Sequence, residues 1–432
     1  MKKVIAMLLA SILILGLFAG CGSTPTETQA PAAETKAPEA SAAPAGDKQY
    51  DGVTLTMWSM WNSNEPQGEV IAKAAEAFEA ETGAHVEIVW KGREINQILS
   101  ASLEASEDFD IFEDDYKRIG LQYADFTYDL TEMAAAADYD SHSYPCINNQ
   151  AIAWAGFLNS IAEQPQVGGV FYDKDAFATA GITAEPTTWA EYLDVCAKLK
   201  EAGIAPQALD AAYADFTFFH QLVRHLGEPA IEELSLNGGW SESKGAVAAA
   251  QEVIDLVNAG YLADGAPDEF PASENKIGYG LAAMIVCANY VTAEVNNNTQ
   301  TEVNWGLFNY PAVDGGVDNT AAYAGANSLA ITKYSKNPQA AFDFLMFLTT
   351  GEWDQLMADT AKQIPADTRN TAPTLLTGTI ETLLSAESPM TWCASLNAND
   401  AIKTDVKALC TQIYEGKFAT GADFCAAMDA LY

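Results

Sequence analysis

The 432-residue chain has few histidines and few basic residues. It contains 4 His and 22 Lys plus Arg against 59 Asp plus Glu, which gives a formal net charge of −37 at pH 7. Nucleic acids and anionic lipid surfaces attract proteins with an excess of Lys and Arg. The composition therefore argues against both as electrostatic partners, and it leaves neutral and cationic ligands open.

Motifs of the common catalytic chemistries are also missing. The sequence has no HExxH, GxSxG or GxxxxGK[ST] motif and no GxGxxG after a strand. His220 and His225 are five residues apart, which does not place two imidazoles on one helix face for a metal. The acidic triplet 113–115 is the one group suited to glycoside hydrolysis, but neighbours in one loop do not flank a bond from opposite sides. We therefore expect no enzyme, no metal and no cofactor.

Cysteines are scattered, and no CxxC motif occurs. Cys196 and Cys287 lie in apolar periodic runs, which favours buried free thiols. Cys410 and Cys425 are the only pair close in sequence, and the pattern leaves their pairing open.

The first residues are typical of an export signal. Lys2 and Lys3 precede an apolar run over residues 4–18, which is shorter than the ~20 residues of a membrane-spanning helix. The run ends in "LGLFAGCGS", which resembles a bacterial lipobox with Cys21 as the lipidated residue, although Phe18 stands where Leu is usual. We expect a lipoprotein signal peptide at 1–20, with an ordinary signal peptide as the alternative.

A tether follows the signal. Residues 22–48 are rich in Pro, Ala, Thr, Glu and Ser and contain no large apolar side chain, so this segment cannot bury enough surface to fold. As a coil it spans roughly 30 Å. Residues 21–49 are therefore predicted to be a lipidated cysteine with a disordered linker.

After Tyr50, strand-like and helix-like segments alternate, as in α/β proteins with mostly parallel sheets. The length favours two lobes. Ligands bind such sheets outside the carboxyl ends of the strands. Four predicted strand ends carry aromatic or acidic residues: Trp58 and Trp61 with Asn62, then Glu113, Asp114 and Asp115, then Tyr172, then Tyr290.

Three segments resemble the extracellular solute-binding proteins of ABC importers, in the sugar-binding group that includes maltose-binding protein. They are "GGVFYDKDAFATAGITAEPTTWAEYLDVCAKLKEAGIAP", "GYGLAAMIVCANY" and "YAGANSLAITKYSKNPQAAFDFLMFLTTGEWDQLMADTAKQIPA". The resemblance covers nearly all of residues 50–432. It implies two α/β lobes hinged by crossover strands, with lobe one over 51–163 and 308–368 and lobe two over 164–307 and 369–432.

The resemblance also implies site residues. Tyr172 falls on the family's strand-end tyrosine, with Asp173 in place of its usual Asn, and Tyr290 falls where many members have a Trp that stacks on sugar. The cleft loop of the family matches Gly325, Ala326 and Asn327. Trp392 is a further candidate for the cleft, whereas Trp240 and Trp305 are expected to be structural.

The function implied is capture of a carbohydrate, such as an oligosaccharide, between the lobes of a monomer. The sugar would pass to the permease of an ABC importer. The protein would be held by its lipid on the outer face of the bacterial cytoplasmic membrane. A binding protein for a polyamine or a peptide, an exported glycoside hydrolase, and a structural surface lipoprotein are the alternatives.

Overall fold

The computed structural model describes residues 48–386, 389–393 and 395–432. The predicted signal peptide, Cys21 and nearly all of the predicted linker lie outside the described residues. Among the described residues, no helix combines the length and the apolar character needed to cross a membrane.

Strands and helices alternate along the chain. The strands are β1 (Thr54–Ser59), β2 (His85–Trp90), β3 (Ile111–Asp115), β4 (Ile161–Asp173), β5 (Ala205–Gln207), β6 (Ala282–Ala288), β7 (Trp305–Phe308), β8 (Ala322–Ile331) and β9 (Pro389–Met390). The helices are α1 (Pro66–Thr82), α2 (Ile95–Glu104), α3 (Tyr116–Leu121), α4 (Thr131–Ala136), α5 (Pro145–Ala155), α6 (Lys174–Thr179), α7 (Trp189–Glu201), α8 (Ala214–Leu226), α9 (Glu228–Asn237), α10 (Lys244–Asn258), α11 (Asn275–Gly278), α12 (Val291–Thr299), α13 (Pro338–Thr349), α14 (Gly351–Ala361), α15 (Thr379–Leu384), α16 (Lys403–Tyr414) and α17 (Gly421–Asp429).

The strands form one sheet in the order β2-β1-β3-β8-β4-β6-β5, with β7 paired to β4 and β9 paired to β8. The outer pairs β1–β2, β1–β3 and β5–β6 are parallel, as expected from the strand–helix alternation. The long strands β4 and β8 pair antiparallel with each other and with β3 and β6. The sheet is therefore mixed rather than mostly parallel, because two long strands join the halves in opposite directions.

Two large apolar cores lie along this sheet, and the lobe around each is named after it. The first core packs β1, β3 and the end of β8 against α1, α13 and α14. The second core packs β6 and the end of β4 against α7, α8, α10, α16 and α17. A small third cluster lies around the middle of β4 and β8. The architecture is thus two-lobed, as the sequence predicted.

One predicted boundary needs correction. Phe308, Tyr310 and Val313 pack in the second core, although lobe one was expected to resume at residue 308. Tyr323 of β8 also belongs to the second core, whereas Leu329 of the same strand belongs to the first. The chain returns to the first lobe within β8.

Helix ends follow the local sequence signals. Pro66 begins α1, and Gly83 ends it with φ 87° and a backbone N–H bond to the Glu79 carbonyl. Thr188 and Glu191 form the expected capping box at the start of α7. The Thr188 hydroxyl accepts from the Glu191 N–H at 3.3 Å, and the Glu191 carboxylate accepts from the Thr188 N–H at 3.1 Å.

We expect Thr188→Ala to lower the free energy of unfolding by about 1 kcal/mol, because the first turn of α7 loses its side-chain acceptor. Urea unfolding of the purified chain measures this loss. Thr188→Ser keeps the hydroxyl and is the matched control. Equal stability of the alanine and serine variants would contradict this role of the cap.

Candidate functional site

A cavity of about 480 Å³ lies between the lobes. The first lobe contributes residues of β3 and α3, the second lobe contributes residues after β6 and β9, and the strands that join the lobes contribute the rest. Its lining residues are Asp115, Tyr116, Lys117, Arg118, Leu121, Gln122, Gln166, Tyr290, Tyr323, Thr391, Trp392 and Asn397. We refer to this cavity as the cleft.

One wall of the cleft is aromatic. Phe216, which is fully buried, covers one face of the Trp392 ring, with centroids 3.9 Å apart and an interplanar angle of 8°. Tyr323 meets the same indole edge-on at 5.5 Å, and Tyr290 lies 6.4 Å from it. The Trp392 ring, which lines the cleft, is thus fixed by its neighbours.

A glycine in β4 leaves space for the aromatic wall of the cleft. A Cβ on Gly168 of β4 would lie 2.8 Å from the Tyr323 ring and 3.0 Å from Phe216. Glycine is therefore required at this position of the strand. The Tyr323 hydroxyl donates to the Gln166 side chain at 2.9 Å, which orients both groups at the edge of the cleft.

The opposite wall carries charge. The Asp115 carboxylate accepts from the Lys117 and Arg118 backbone N–H groups at 3.1 and 3.2 Å and so caps α3. The Arg118 Nε donates to both Asp114 oxygens at 2.9 and 3.1 Å. The ammonium of Lys117 donates to the Thr391 hydroxyl at 3.3 Å and thereby connects the two lobes. Burial lowers the pKa of Lys117.

Two of the residues predicted for the site, Asp115 and Tyr290, line the cleft, and Trp392, the further candidate, does so too. Glu113 and Asp114 are fully buried beneath it. The carboxylate of Asp114 holds Arg118, so it positions a cleft residue without lining the cavity. Sequence reasoning thus located the β3–α3 segment and the end of β6.

Trp58 and Trp61 belong to the first core rather than to the cleft. The Trp58 ring stacks on Phe109 at 4.2 Å, with Lys91 3.8 Å from the ring centroid. Arg93 lies 4.3 Å from the Trp61 ring. Both indoles are more than 90% buried, so they are packed in the core and are not presented to a ligand.

Asn62 lies in that loop as an exposed residue. Its backbone N–H donates to the Glu65 carboxylate at 2.7 Å, just before the start of α1. It is not among the residues that line the cleft.

Tyr172 lies far from the cleft along β4. Six residues separate it from Gln166, which is roughly 20 Å at 3.3 Å per residue. Its hydroxyl donates to Glu185 at 2.7 Å, and its ring lies against Gly306, where a Cβ would be 2.3 Å away. The family tyrosine at this strand end is here part of the second core.

The predicted loop 325–327 is part of β8, the strand that joins the lobes. Ala326 is buried, and a Cβ on Gly325 would lie 2.7 Å from the Tyr323 hydroxyl. Asn327 donates to Gln164 at 3.0 Å, and Gln164 in turn bonds Gln363. These residues tie three connecting segments together and support the cleft from behind.

Several lining residues were not predicted from the sequence. Tyr116, Lys117, Arg118, Leu121 and Gln122 lie in the segment after the acidic triplet, so the start of α3 was the signal available for them. The other residues missed come from separate parts of the chain: Gln166, Tyr323, Thr391 and Asn397. No local pattern marks these positions as neighbours in space.

Metal and disulfide chemistry is not visible at the described positions. No group of three or more His, Cys, Asp or Glu side chains among them is arranged to hold a metal ion. The six cysteines after Cys21 are buried free thiols in the described part of the chain, so Cys410 and Cys425 do not pair there.

A buried carboxyl pair is formed by Glu113 of β3 and Glu163 of β4, the two strands on either side of β8. Glu113 Oε2 accepts from the Ser59 hydroxyl at 2.6 Å and from the Met60 N–H at 2.7 Å. Its other oxygen and both oxygens of Glu163 are buried without a hydrogen bond of normal geometry in the described structure. Burial raises the pKa of Glu113 to about 7. Burial and the charge of Glu113 raise the pKa of Glu163 well above its usual range.

These raised pKa values predict a loss of stability with rising pH. An unfolded glutamate titrates near pH 4.5, so between that value and about 7 the folded chain binds more protons than the unfolded chain. The free energy of unfolding therefore falls as pH rises through this window and beyond. Glu163→Gln removes one titrating carboxyl, and we expect it to make the fall between pH 5 and pH 8 shallower.

Urea unfolding at both pH values measures this difference. Glu76→Gln, at an exposed position of α1, is the matched control and should keep the parent pH dependence. A Glu163→Gln variant whose stability falls with pH as steeply as that of the parent chain would contradict the assignment.

The chain is similar to known proteins in sequence and in fold. The model of the family described as bacterial extracellular solute-binding protein matches residues 62–355. A probable ABC transporter-binding protein from Deinococcus radiodurans is 24% identical over 321 residues, which cover 68% of this chain and 71% of that protein.

Two solved structures share the fold. The bacterial solute receptor AcbH, described as exclusive for β-D-galactopyranose, matches with a TM-score of 0.72 at 15% identity over 89% of this chain and 98% of its own. A chitin oligosaccharide binding protein matches with a TM-score of 0.68 at 19% identity over the same shares of the two chains, 89% and 98%. Since the family match covers more than half of the residues, this chain belongs to the bacterial extracellular solute-binding proteins.

Proposed function

We propose that this protein captures a carbohydrate in the cleft and delivers it to an ABC importer. The observation that carries the proposal is the pairing of two unlike walls across one cavity. Trp392 and Tyr290 stand on the second lobe, and Lys117 and Arg118 stand on the first.

Sugars fit such a pair of walls. A pyranose ring has an apolar C–H face, which a flat aromatic ring buries, and a rim of hydroxyls, which needs hydrogen-bond partners. Trp392 lines the cleft, and its ring is held in place by Phe216. Side-chain donors around the cavity include Lys117, Gln122 and Asn397.

The size of the cavity favours a short glycan. Its volume of about 480 Å³ lies within the ~300–1,000 Å³ that is usual for small-molecule sites. The sugar-binding structures that share the fold include one bound to raffinose and one bound to stachyose. A mono- to oligosaccharide is therefore the ligand class we favour.

The acidic triplet 113–115 suggested a polyamine as an alternative ligand, but the charges that line the cleft do not favour a polycation. Glu113 and Asp114 are buried beneath the cleft, and Asp115 caps α3. The cleft instead presents Lys117 and Arg118, which repel a polycation.

Hydrolysis also lacks support. Glycosidases use two carboxyl groups that flank the scissile bond. Among the described lining residues, Asp115 is the one carboxylate, and its oxygen is occupied by backbone N–H groups. Binding without turnover is therefore the mechanism that fits the cleft.

Closure of the lobes is the expected response to the ligand. A ligand favours a closed form only to the extent that it contacts both lobes, and residues of both lobes line this cleft. Lys117 already reaches Thr391 across it. A closed, loaded monomer, held at the outer face of the cytoplasmic membrane by a lipid on Cys21, would then dock on the permease.

We expect a specific glycan to raise the thermal stability of the purified full-length chain. At 100 times its dissociation constant, a ligand adds about 2.7 kcal/mol, which is a shift of a few degrees. The screen compares mono- and oligosaccharides with polyamines and peptides, and chromatography after incubation shows whether the glycan is intact.

Variants then locate the ligand. Trp392→Ala removes the stacking surface, and we expect glycan affinity to fall roughly thirtyfold or more, since a buried tryptophan anchor contributes ~2 kcal/mol. Trp58→Phe, in the first core, is the matched control and should leave affinity within about twofold. Stabilisation by a polyamine alone, breakdown of the glycan, or unchanged affinity in a folded Trp392→Ala variant would each contradict the proposal.

A further inference from the structure

A second cavity, of about 650 Å³, lies on the seam between the lobes and shares no residue with the cleft. The second lobe contributes the end of α12 and the loop before β7, and the segment that follows α14 contributes the other side. Its lining residues are Lys174, Ala293, Asn296, Asn297, Gln300, Thr301, Glu302, Val303, Asn304, Trp305, Lys362, Pro373, Thr374, Leu375 and Thr377. We refer to it as the seam cavity.

The seam cavity is a separate site from the cleft. Lys174 follows the end of β4 and is eight residues beyond Gln166, which corresponds to roughly 26 Å along an extended strand. Helix α12 begins beside Tyr290 of the cleft, and its residues Ala293 and Asn296 line the seam cavity, so the helix separates the two cavities. A ligand in the cleft therefore does not occupy the seam cavity.

Two lysines from different parts of the fold face this cavity. Lys174 comes from the second lobe, and Lys362 ends α14 of the first. Neither ammonium has a hydrogen bond or an ion pair within the described part of the chain. Lys174 is half-buried and Lys362 is exposed, so both ammonium groups are accessible to a ligand.

The surrounding polar groups add donors and negative charge. The Asn297 side chain has no hydrogen bond among the described residues and is able to donate into the cavity. Glu302 also lines the cavity, so its charged groups are two lysines and one glutamate. Asp175, next to Lys174 in sequence, accepts from the side chain of the lining residue Asn304 at 2.9 Å and adds a second negative charge nearby.

The wall of the cavity is held in place. Asn296 accepts from the Val303 backbone N–H at 3.3 Å and from the Trp305 indole at 3.1 Å, which fixes the loop between α12 and β7. Trp305 is buried, and Leu375 packs on the second core from the facing segment. A preformed wall reduces the ordering cost of binding.

We propose that the seam cavity binds a small oxyanion of the phosphate or carboxylate class between Lys174 and Lys362. Oxyanions accept charge-assisted hydrogen bonds from ammonium groups and from amide N–H groups, both of which line this cavity. Because the two lysines belong to different lobes, a bound anion links the lobes at a place outside the sugar cleft.

Isothermal titration of the full-length chain with inorganic phosphate, and separately with malonate, tests this site. The titrations are run at low ionic strength, with sodium chloride at matched ionic strength as the comparison, because salt screens exposed charges. Saturable heat with either oxyanion and none with chloride is the expected result. A stronger response to phosphate or to malonate identifies which of the two oxyanions the cavity prefers.

Charge-removing variants locate the anion. Lys174→Gln and Lys362→Gln should each weaken binding about tenfold or more, and Glu302→Gln should strengthen it. Lys336→Gln, at an exposed lysine outside the cavity, is the matched control and should bind as the parent does. Absence of saturable oxyanion binding, or equal affinity of the parent chain and folded Lys174→Gln and Lys362→Gln variants, would overturn the proposal.

Discussion

The antiparallel pairing of β4 with β8 is the constraint on which both lobes depend. The ladder runs from Ile161 opposite Leu329 to Gly168 opposite Tyr323, and it passes from the first core to the second. Its register brings Gln166 and Tyr323 to the edge of the cleft. The register shift near Glu163 adds one residue to β4, and the side chain of that residue meets Glu113 of the first lobe. Bulges of this kind redirect a side chain locally.

The acidic side chains next to the cleft mainly form bonds to other groups of the protein. Asp114 holds Arg118, Asp115 caps α3, and Glu113 accepts from the end of β1. A carboxylate without partners at a buried strand end would be costly, so each of these three is paired with nearby donors. These bonds fix the position of α3, so the donors of Lys117 and Arg118 are held at the cavity before a ligand binds. Although the chain is strongly acidic, the charged side chains that line its cleft include Lys117 and Arg118.

Local signals predicted much of the fold and only part of the site. The ends of α1 and the capping box of α7 follow from Pro66, Gly83 and Thr188, because caps depend on neighbouring residues. The wall of the cleft depends instead on Trp392 meeting Phe216, a contact between residues far apart in the sequence. The rule that ligands bind at the carboxyl ends of strands predicted Tyr290, which lines the cleft. The same rule does not distinguish an aromatic side chain that contacts a ligand from one that is packed in the core. Trp58 is such a case, since Phe109 and Lys91 cover its ring.

A crystal structure of the chain with the glycan that stabilises it most tests the central claim directly. The account predicts a sugar ring against the Trp392 ring, with hydroxyls bonded to Lys117 or Arg118 of the first lobe and to side chains of the second. A sugar bound elsewhere, such as in the seam cavity, or one that touches a single lobe, would contradict it.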